Sequence, residues 1–148
     1  MVDVWNNTDP DIKLIPSHSA LKSSLCQTSP KPNPYFNLGK RILNIILARI
    51  RMECSELNSH LFENHIISNP LCRCGEVETT THYFLDCPFY TLHRLRLSYQ
   101  LGLLDVDFTV EILLYGTSNL AIDKIMIGHI DHFITATDRF SLITGLYD

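Results

Sequence analysis

Between Phe36 and Met52 the apolar residues Ile42, Ile45, Ile46 and Ile50, with Leu38, Leu43 and Leu47 beside them, recur at helical rather than alternating intervals. This predicts a buried helix over 37–52 whose polar face carries Lys40, Arg41, Asn44 and Arg51. A shorter helix is expected from Ser55, with Leu57, Leu61 and Phe62 on one face and Asn69-Pro70 as its stop. Phe89 to Tyr99 reads as a third, with Leu92, Leu95 and Tyr99 inward and Gly102 ending it. Two more follow: Thr109 to Tyr115, closed by Gly116, and 120–140, where Ile122, Ile125, Met126, His129, Phe133 and Ile134 recur. Five prolines between Pro10 and Pro34 leave room for one short helix near Ser17–Leu25, and the KPNP run at 31–34 reads as a linker. Strand-like alternation is almost absent. The expected fold is a mostly α, small helical bundle, organised as a proline-rich segment (1–34), a central helical module (35–100) and a C-terminal helical segment (101–148).

Composition narrows the function classes. At 148 residues and 17.0 kDa, the chain is too short for a polymerase, a kinase or a barrel enzyme. Apolar residues make up 45% and charged residues 19%, enough to build a packed core. The net charge of −4 offers no overall attraction to phosphate backbones or anionic membranes. The charge is uneven, however: Lys31 to Gln100 holds eight Lys and Arg against six Asp and Glu, whereas the flanks hold four against ten. Nucleic-acid contact is therefore expected to be local to the middle segment. The first residues lack the basic and apolar stretches of a secretory signal, and no window has the length of a membrane span. The sequence reads as intracellular, nuclear or cytoplasmic, and not secreted.

The chemistry lies in Cys72-Arg-Cys74-Gly-Glu-Val-Glu-Thr-Thr-Thr-His82-Tyr-Phe-Leu-Asp-Cys87. Three thiols and one imidazole form a complete tetrahedral set for structural Zn²⁺, leaving no open position for catalysis. Gly75 permits the sharp return of a cysteine knuckle. Thr79 to Asp86 reads as a helical turn that brings His82 and Cys87 to the same ion. A Cys/His nucleophile is disfavoured, because three thiols would compete for one histidine. Neither a phosphate-binding glycine loop nor a paired-acid site is present, and Pro10-Asp11-Ile12-Lys13, which has the look of a nuclease acid and lysine, lacks a partner acid on a strand. Cys26 and Cys54 are expected to be buried thiols. His60, His65, His93, His129 and His132 are expected to be ordinary surface or core residues.

The run from Gly39 to Leu97 resembles the C-terminal tail of reverse transcriptases, RNA-directed DNA polymerases encoded by non-LTR (LINE-type) retrotransposons. The resemblance rests on R-I-R-x-x-C-S-x-L-N-x-x-L-F from Arg49 to Phe62, on P-L-C-x-C-G from Pro70 to Gly75, and on E-T-x-x-H-x-x-x-x-C-P-x-Y from Glu78 to Tyr90. Val4-Trp5-Asn6 and Leu21-Lys22-Ser23 resemble the segment that precedes it in such tails; Ile112 to Gly116, Phe133-Ile134 and Arg139-Phe140 resemble the ending. It implies a zinc-binding tail that helps the polymerase hold its RNA template or DNA target. The Tyr/Phe-x-Asp-Asp box of a polymerase palm is missing, as are endonuclease and RNase H residues. A non-catalytic fragment, not an enzyme, is expected.

Arg73, Tyr83, Tyr90, Arg94 and Arg96 are the candidates for gripping a single strand of RNA or DNA, the arginines on phosphates and the tyrosines stacked on bases. Lys40, Arg41, Arg49 and Arg51 would form a second basic face. The competing reading is a structural or protein-interaction module stapled by zinc, with the parent reverse transcriptase as partner. Neither a membrane nor a small-molecule substrate is expected.

Overall fold

The computed structural model describes residues 31–141, so the expected helix at 17–25, Cys26, the 10–13 run and the Val4–Asn6 and Leu21–Ser23 matches lie outside the described residues. Among the described residues five α-helices follow one another: α1 (Arg41–Arg51), α2 (Asn58–Glu63), α3 (Thr91–Gly102), α4 (Val110–Tyr115) and α5 (Leu120–Thr137). Single tight turns at Pro34–Asn37 and Pro88–Tyr90 begin with proline, whose fixed φ suits a first helical position. Among the described residues there is no sheet, only one antiparallel bridge between Leu71 and Val77. The small, mostly α bundle is as expected. No helix among the described residues is long and apolar enough to cross a membrane.

The core is assembled from stripes at helical spacing. In α5, Met126, Ile127, Ile130, Phe133 and Ile134 are buried, a continuous i, i+3, i+4 stripe along one side. Asn119 caps its start by accepting from the amides of Ala121 and Ile122, and Asp138, left-handed at φ 50, stops it three residues short of the expected end. Ile125, expected inside, is half exposed. In α1 the buried positions are Leu43, Ile46, Leu47 and Ile50, and Ile42 is only partly covered. Lys40 and Arg41 face solvent as expected.

Arg51 does not. Its guanidinium lies 4.2 Å from the centre of the Phe36 ring and donates to the Leu114 carbonyl at 2.7 Å. That bond belongs to a set at the end of α4, where the last carbonyls of any helix lack partners. Here Tyr35 Oη donates to Leu113 O at 2.7 Å and Asn33 Nδ2 to Tyr115 O at 2.9 Å. Gly116 then turns away at φ 80, and a Cβ there would lie 2.7 Å from the Tyr35 ring. Two segments distant in sequence, 33–35 and the end of α1, thus close one helix end.

Two helices turn a different face inward from the one their apolar residues suggest. In α2 the buried residues are Ser59 and His60; Leu61 is half-buried and Phe62 is exposed. Leu57 is extended and buried just before the helix, so its phase begins one residue later. In α3 the buried residues are Leu97 and Leu101, while Leu92, Leu95 and Tyr99 are exposed. Arg94, Leu97 and Leu101 share one side of the helix, and Arg94 is anchored to backbone carbonyls near its base. Helix α3 packs on α5, so the expected boundary at residue 100 falls inside a helix, and 35–100 and 101–141 share one unit, Asn33–Asp148.

Candidate metal centre

The knuckle is a miniature hairpin. Cys72 N donates to Glu76 O at 2.7 Å, Gly75 N to Cys72 O at 3.0 Å and Glu78 N to Pro70 O at 2.9 Å, either side of the Leu71–Val77 bridge. Gly75 sits at φ 97, a conformation that side chains with a Cβ rarely adopt. The chain then enters a turn at His82–Asp86 whose start is capped by Thr79, its Oγ1 accepting from His82 N at 3.0 Å. Cys87 N donates to His82 O at 2.7 Å, a bond five residues back in place of the α-helical four. Such π-type turns are wider than an α turn. This one puts ligands five apart on the same side, and Tyr83 and Phe84, both fully buried, hold it in the core.

Four side chains converge as a result. Cys72, Cys74, His82 and Cys87 present ligand atoms that all lie within 4.8 Å of one another, and this set is able to hold a metal ion. Cys72 Sγ and Cys87 Sγ are 3.7 Å apart, and Cys74 Sγ lies 3.2 Å from His82 Nε2. Cys72, His82 and Cys87 are buried and Cys74 partly so. Burial pushes the Cys72 thiol up to about 11, against the backbone of Cys74, which lowers it. A cation among the sulfurs supplies the opposite charge that a buried thiolate lacks.

Arg94 supports this site from below. Its Nε donates to Phe84 O at 2.9 Å and its Nη2 to Cys87 O at 2.5 Å, so the end of the π turn is tied to α3. Burial lowers the pKa of Arg94, opposed by the charges of Cys87 and Asp86. On the other side, Glu78, 2% exposed, takes Arg139 in a two-pronged pair, Nε to Oε1 at 2.7 Å and Nη2 to Oε2 at 2.6 Å. Arg139 also donates to Glu56 O, and Asn58 N donates to Glu78 Oε2 at 2.8 Å. Hydrogen bonding to Glu78 raises the pKa of Arg139. Behind this clip, His60 is buried between Ser55 Oγ, 2.7 Å from Nδ1, and Thr80 Oγ1, 3.3 Å from Nε2.

Compared with models of protein families, with curated proteins and with solved structures, the chain matches none of them.

The residues expected to contact nucleic acid are scattered. Tyr83 and Tyr90 are core side chains, 0% and 6% exposed, and Tyr83 meets Phe84, Tyr90, Phe133 and Phe140 edge-on; neither ring is available to a base. Arg94 and Arg51 donate to backbone carbonyls. Lys40 pairs with Asp131 at 2.9 Å, and Arg49 is half-buried near Glu56, whose pKa it lowers against the effect of burial. Arg41, Arg73 and Arg96 remain exposed. Cys54, expected buried, is exposed. The sequence reading overlooked Phe89, an exposed ring 5.5 Å from the Arg73 guanidinium, and the Glu78–Arg139 clip. Phe89 follows the proline after Cys87, which marks it as a residue of the knuckle's rim.

Proposed function

We propose that this chain is a zinc-stapled helical interaction module that presents the outer face of α3 to a protein partner. The observation that carries the reading is the apolar row Phe89, Leu92, Leu95, Tyr99 and Leu103, each more than half exposed and recurring every three or four residues. Rows of this size on a small domain mark interaction surfaces. Zinc suits the staple because three thiolates and one imidazole are its usual closed donor set. Bonds of about 2.3 Å to sulfur place two tetrahedral ligands about 3.8 Å apart, near the Cys72–Cys87 separation. Three thiolates around a divalent ion leave one negative charge, which Arg94 offsets.

The partner's chemistry follows from the rim. Helix α3 contains His93, Arg94 and Arg96 and no acidic residue, and Arg73 borders the row at Phe89. An apolar groove with an acidic margin complements it. The resemblance to retrotransposon tails nominates the body of a reverse transcriptase. The experiment measures binding of the zinc-loaded chain to a purified non-LTR polymerase body, with Leu92→Glu/Leu95→Glu as comparison. Loss of binding with unchanged folding is expected. Equal binding by both proteins, or self-association through the same row, overturns the reading.

A second reading, contact with single-stranded RNA or DNA, is favoured by one observation: the Arg73 guanidinium over the exposed Phe89 ring, a cation and a stacking face side by side. Salt-sensitive RNA binding that disappears in Arg73→Ala/Phe89→Ala but survives Leu92→Glu/Leu95→Glu supports it over docking.

A further inference from the structure

A cleft of about 100 Å³ lies between α3 and α5, away from the metal ligands, with Leu97 and Phe133 as its apolar floor and His93, Arg96, Gln100, His129 and His132 as its polar lining. None of those five polar side chains makes a hydrogen bond or ion pair with any described residue, although His93, Gln100 and His129 are partly buried. We propose that this cleft binds a phosphoryl oxyanion. Arg96 offers the planar fork of donors that matches two oxygens of such a group, and the Gln100 amide and the imidazoles add N–H donors around it. Bonds from the Arg96 guanidinium to such a group are charge-assisted and stronger than neutral ones.

Charge supports an anion from every side. Helix α3 has no carboxylate, and the acids of α5 are directed elsewhere, Asp131 to Lys40 and Asp123 to Thr117. Asp86, on the turn below α3, acts on Arg94. A metal is the wrong occupant: among the described residues only the cysteine cluster gathers three or more ligand atoms close enough for an ion, and Arg96 would repel a cation. A cleft of about 100 Å³ has room for one tetrahedral group among these side chains. The group can be free phosphate or one phosphodiester of a nucleic-acid strand.

The test is a titration of the zinc-loaded full chain with inorganic phosphate at constant ionic strength, balanced with chloride and followed by the imidazole NMR signals. Saturable shifts at His93, His129 and His132 are expected, and Arg96→Gln should weaken the apparent affinity at least about tenfold, as loss of a charge-assisted fork would. His132→Asn, at an exposed position, should weaken it less while leaving the spectrum of the fold unchanged. Oligothymidylate in place of phosphate identifies the source: the same signals shifting at lower concentration mean a strand backbone, and a response to phosphate alone means a free oxyanion. Shifts that fail to saturate, that chloride reproduces, or that persist unchanged in Arg96→Gln overturn the proposal. Such a failure leaves the docking reading of Leu92 and Leu95 untouched.

Discussion

The two sides of α3 illustrate opposite uses of a helix. On its inner side, Arg94 gives its N–H groups to Phe84 and Cys87, Leu97 and Leu101 enter the core, and the metal knuckle rests above. On its outer side, Leu92, Leu95 and Tyr99 are more exposed than any side chain of the α5 core stripe, and no described residue covers them. Apolar content alone favours the outer side for burial. Hydrogen-bond geometry decides otherwise, because the carbonyls that end the π turn need donors and only one rotation of α3 supplies them. The inner side is thus determined by a polar anchor, and the outer side is left apolar and free.

The largest effect is expected from disrupting the Cys72, Cys74, His82 and Cys87 cluster. Chelation, or Cys74→Ser, should melt 71–90 and release α3 from its anchor. Structural zinc sites in small fingers carry about 10 kcal/mol or more, comparable with the stability of a whole domain. Circular dichroism melts with and without chelator, together with the zinc content of the purified chain, read this out. An unchanged melting temperature in zinc-free protein would contradict the stapled fold.

The clip on the other side of the knuckle ranks next. Glu78→Gln leaves Arg139 beside a neutral partner in a largely covered site, and removing one member of such a pair typically costs about 3–5 kcal/mol. Changing both, as Glu78→Gln/Arg139→Met, should recover part of that loss in denaturant melts. Additive losses would mean that the two side chains act separately.

These two regions also show what could be read in advance. The convergence of Cys72, Cys74, His82 and Cys87 was legible because all four lie within a short stretch, where spacing and the Gly75 turn carry the geometry. The α1 and α5 helices were legible because a single stripe dominates each. The buried tyrosines were not: Tyr83 is core because it packs against Phe133 and Phe140, some fifty residues on, and Tyr90 because it packs on Tyr83. The Glu78–Arg139 pair spans 61 residues and carries no local signal. In α3 two stripes compete, and the tie is broken by hydrogen bonds to carbonyls that no side-chain pattern records.

Arg94 gives the direct test of that tie-break. Arg94→Met keeps the length of the side chain but leaves Phe84 O and Cys87 O without their donor, and should cost about 1.5–3 kcal/mol. It should also raise amide exchange in 82–87 more than elsewhere. A stability within experimental error of the parent would show that α3 is oriented by Leu97 and Leu101 alone.

His60 provides a smaller, pH-dependent effect near the same clip. Burial lowers its pKa below the ordinary 6.5, against the charges of Glu53, Glu63 and Glu78. Above about pH 6.5 the imidazole is neutral in both folded and unfolded chains and contributes no pH dependence. Below it the unfolded chain takes up a proton that the folded chain refuses, so stability falls as pH falls, until the folded imidazole also titrates. His60→Gln should flatten the slope of stability between pH 7 and pH 5 relative to the parent. Groups left unchanged by the substitution contribute equally to both proteins, so the difference isolates His60. Parallel slopes would show that His60 is as accessible to protons folded as unfolded.

The smallest expected effect on stability comes from the outer side of α3, and it sharpens the comparison most. Leu92 and Leu95 are 79% and 61% exposed, so their burial contributes little to folding. Leu92→Glu and Leu95→Glu should each shift stability by no more than about 0.5 kcal/mol, the range of ordinary surface changes. A carboxylate at 92 stands four residues before Arg96, a favourable helical spacing that opposes any loss of propensity. Leu97→Ala, at a residue 2% exposed on the same helix, should cost about 2–5 kcal/mol by the same measurement. A large loss for Leu92→Glu would place that residue in a core and remove the row from the surface. A small loss with abolished partner binding separates the two sides of α3 into one that folds the protein and one that is recognised.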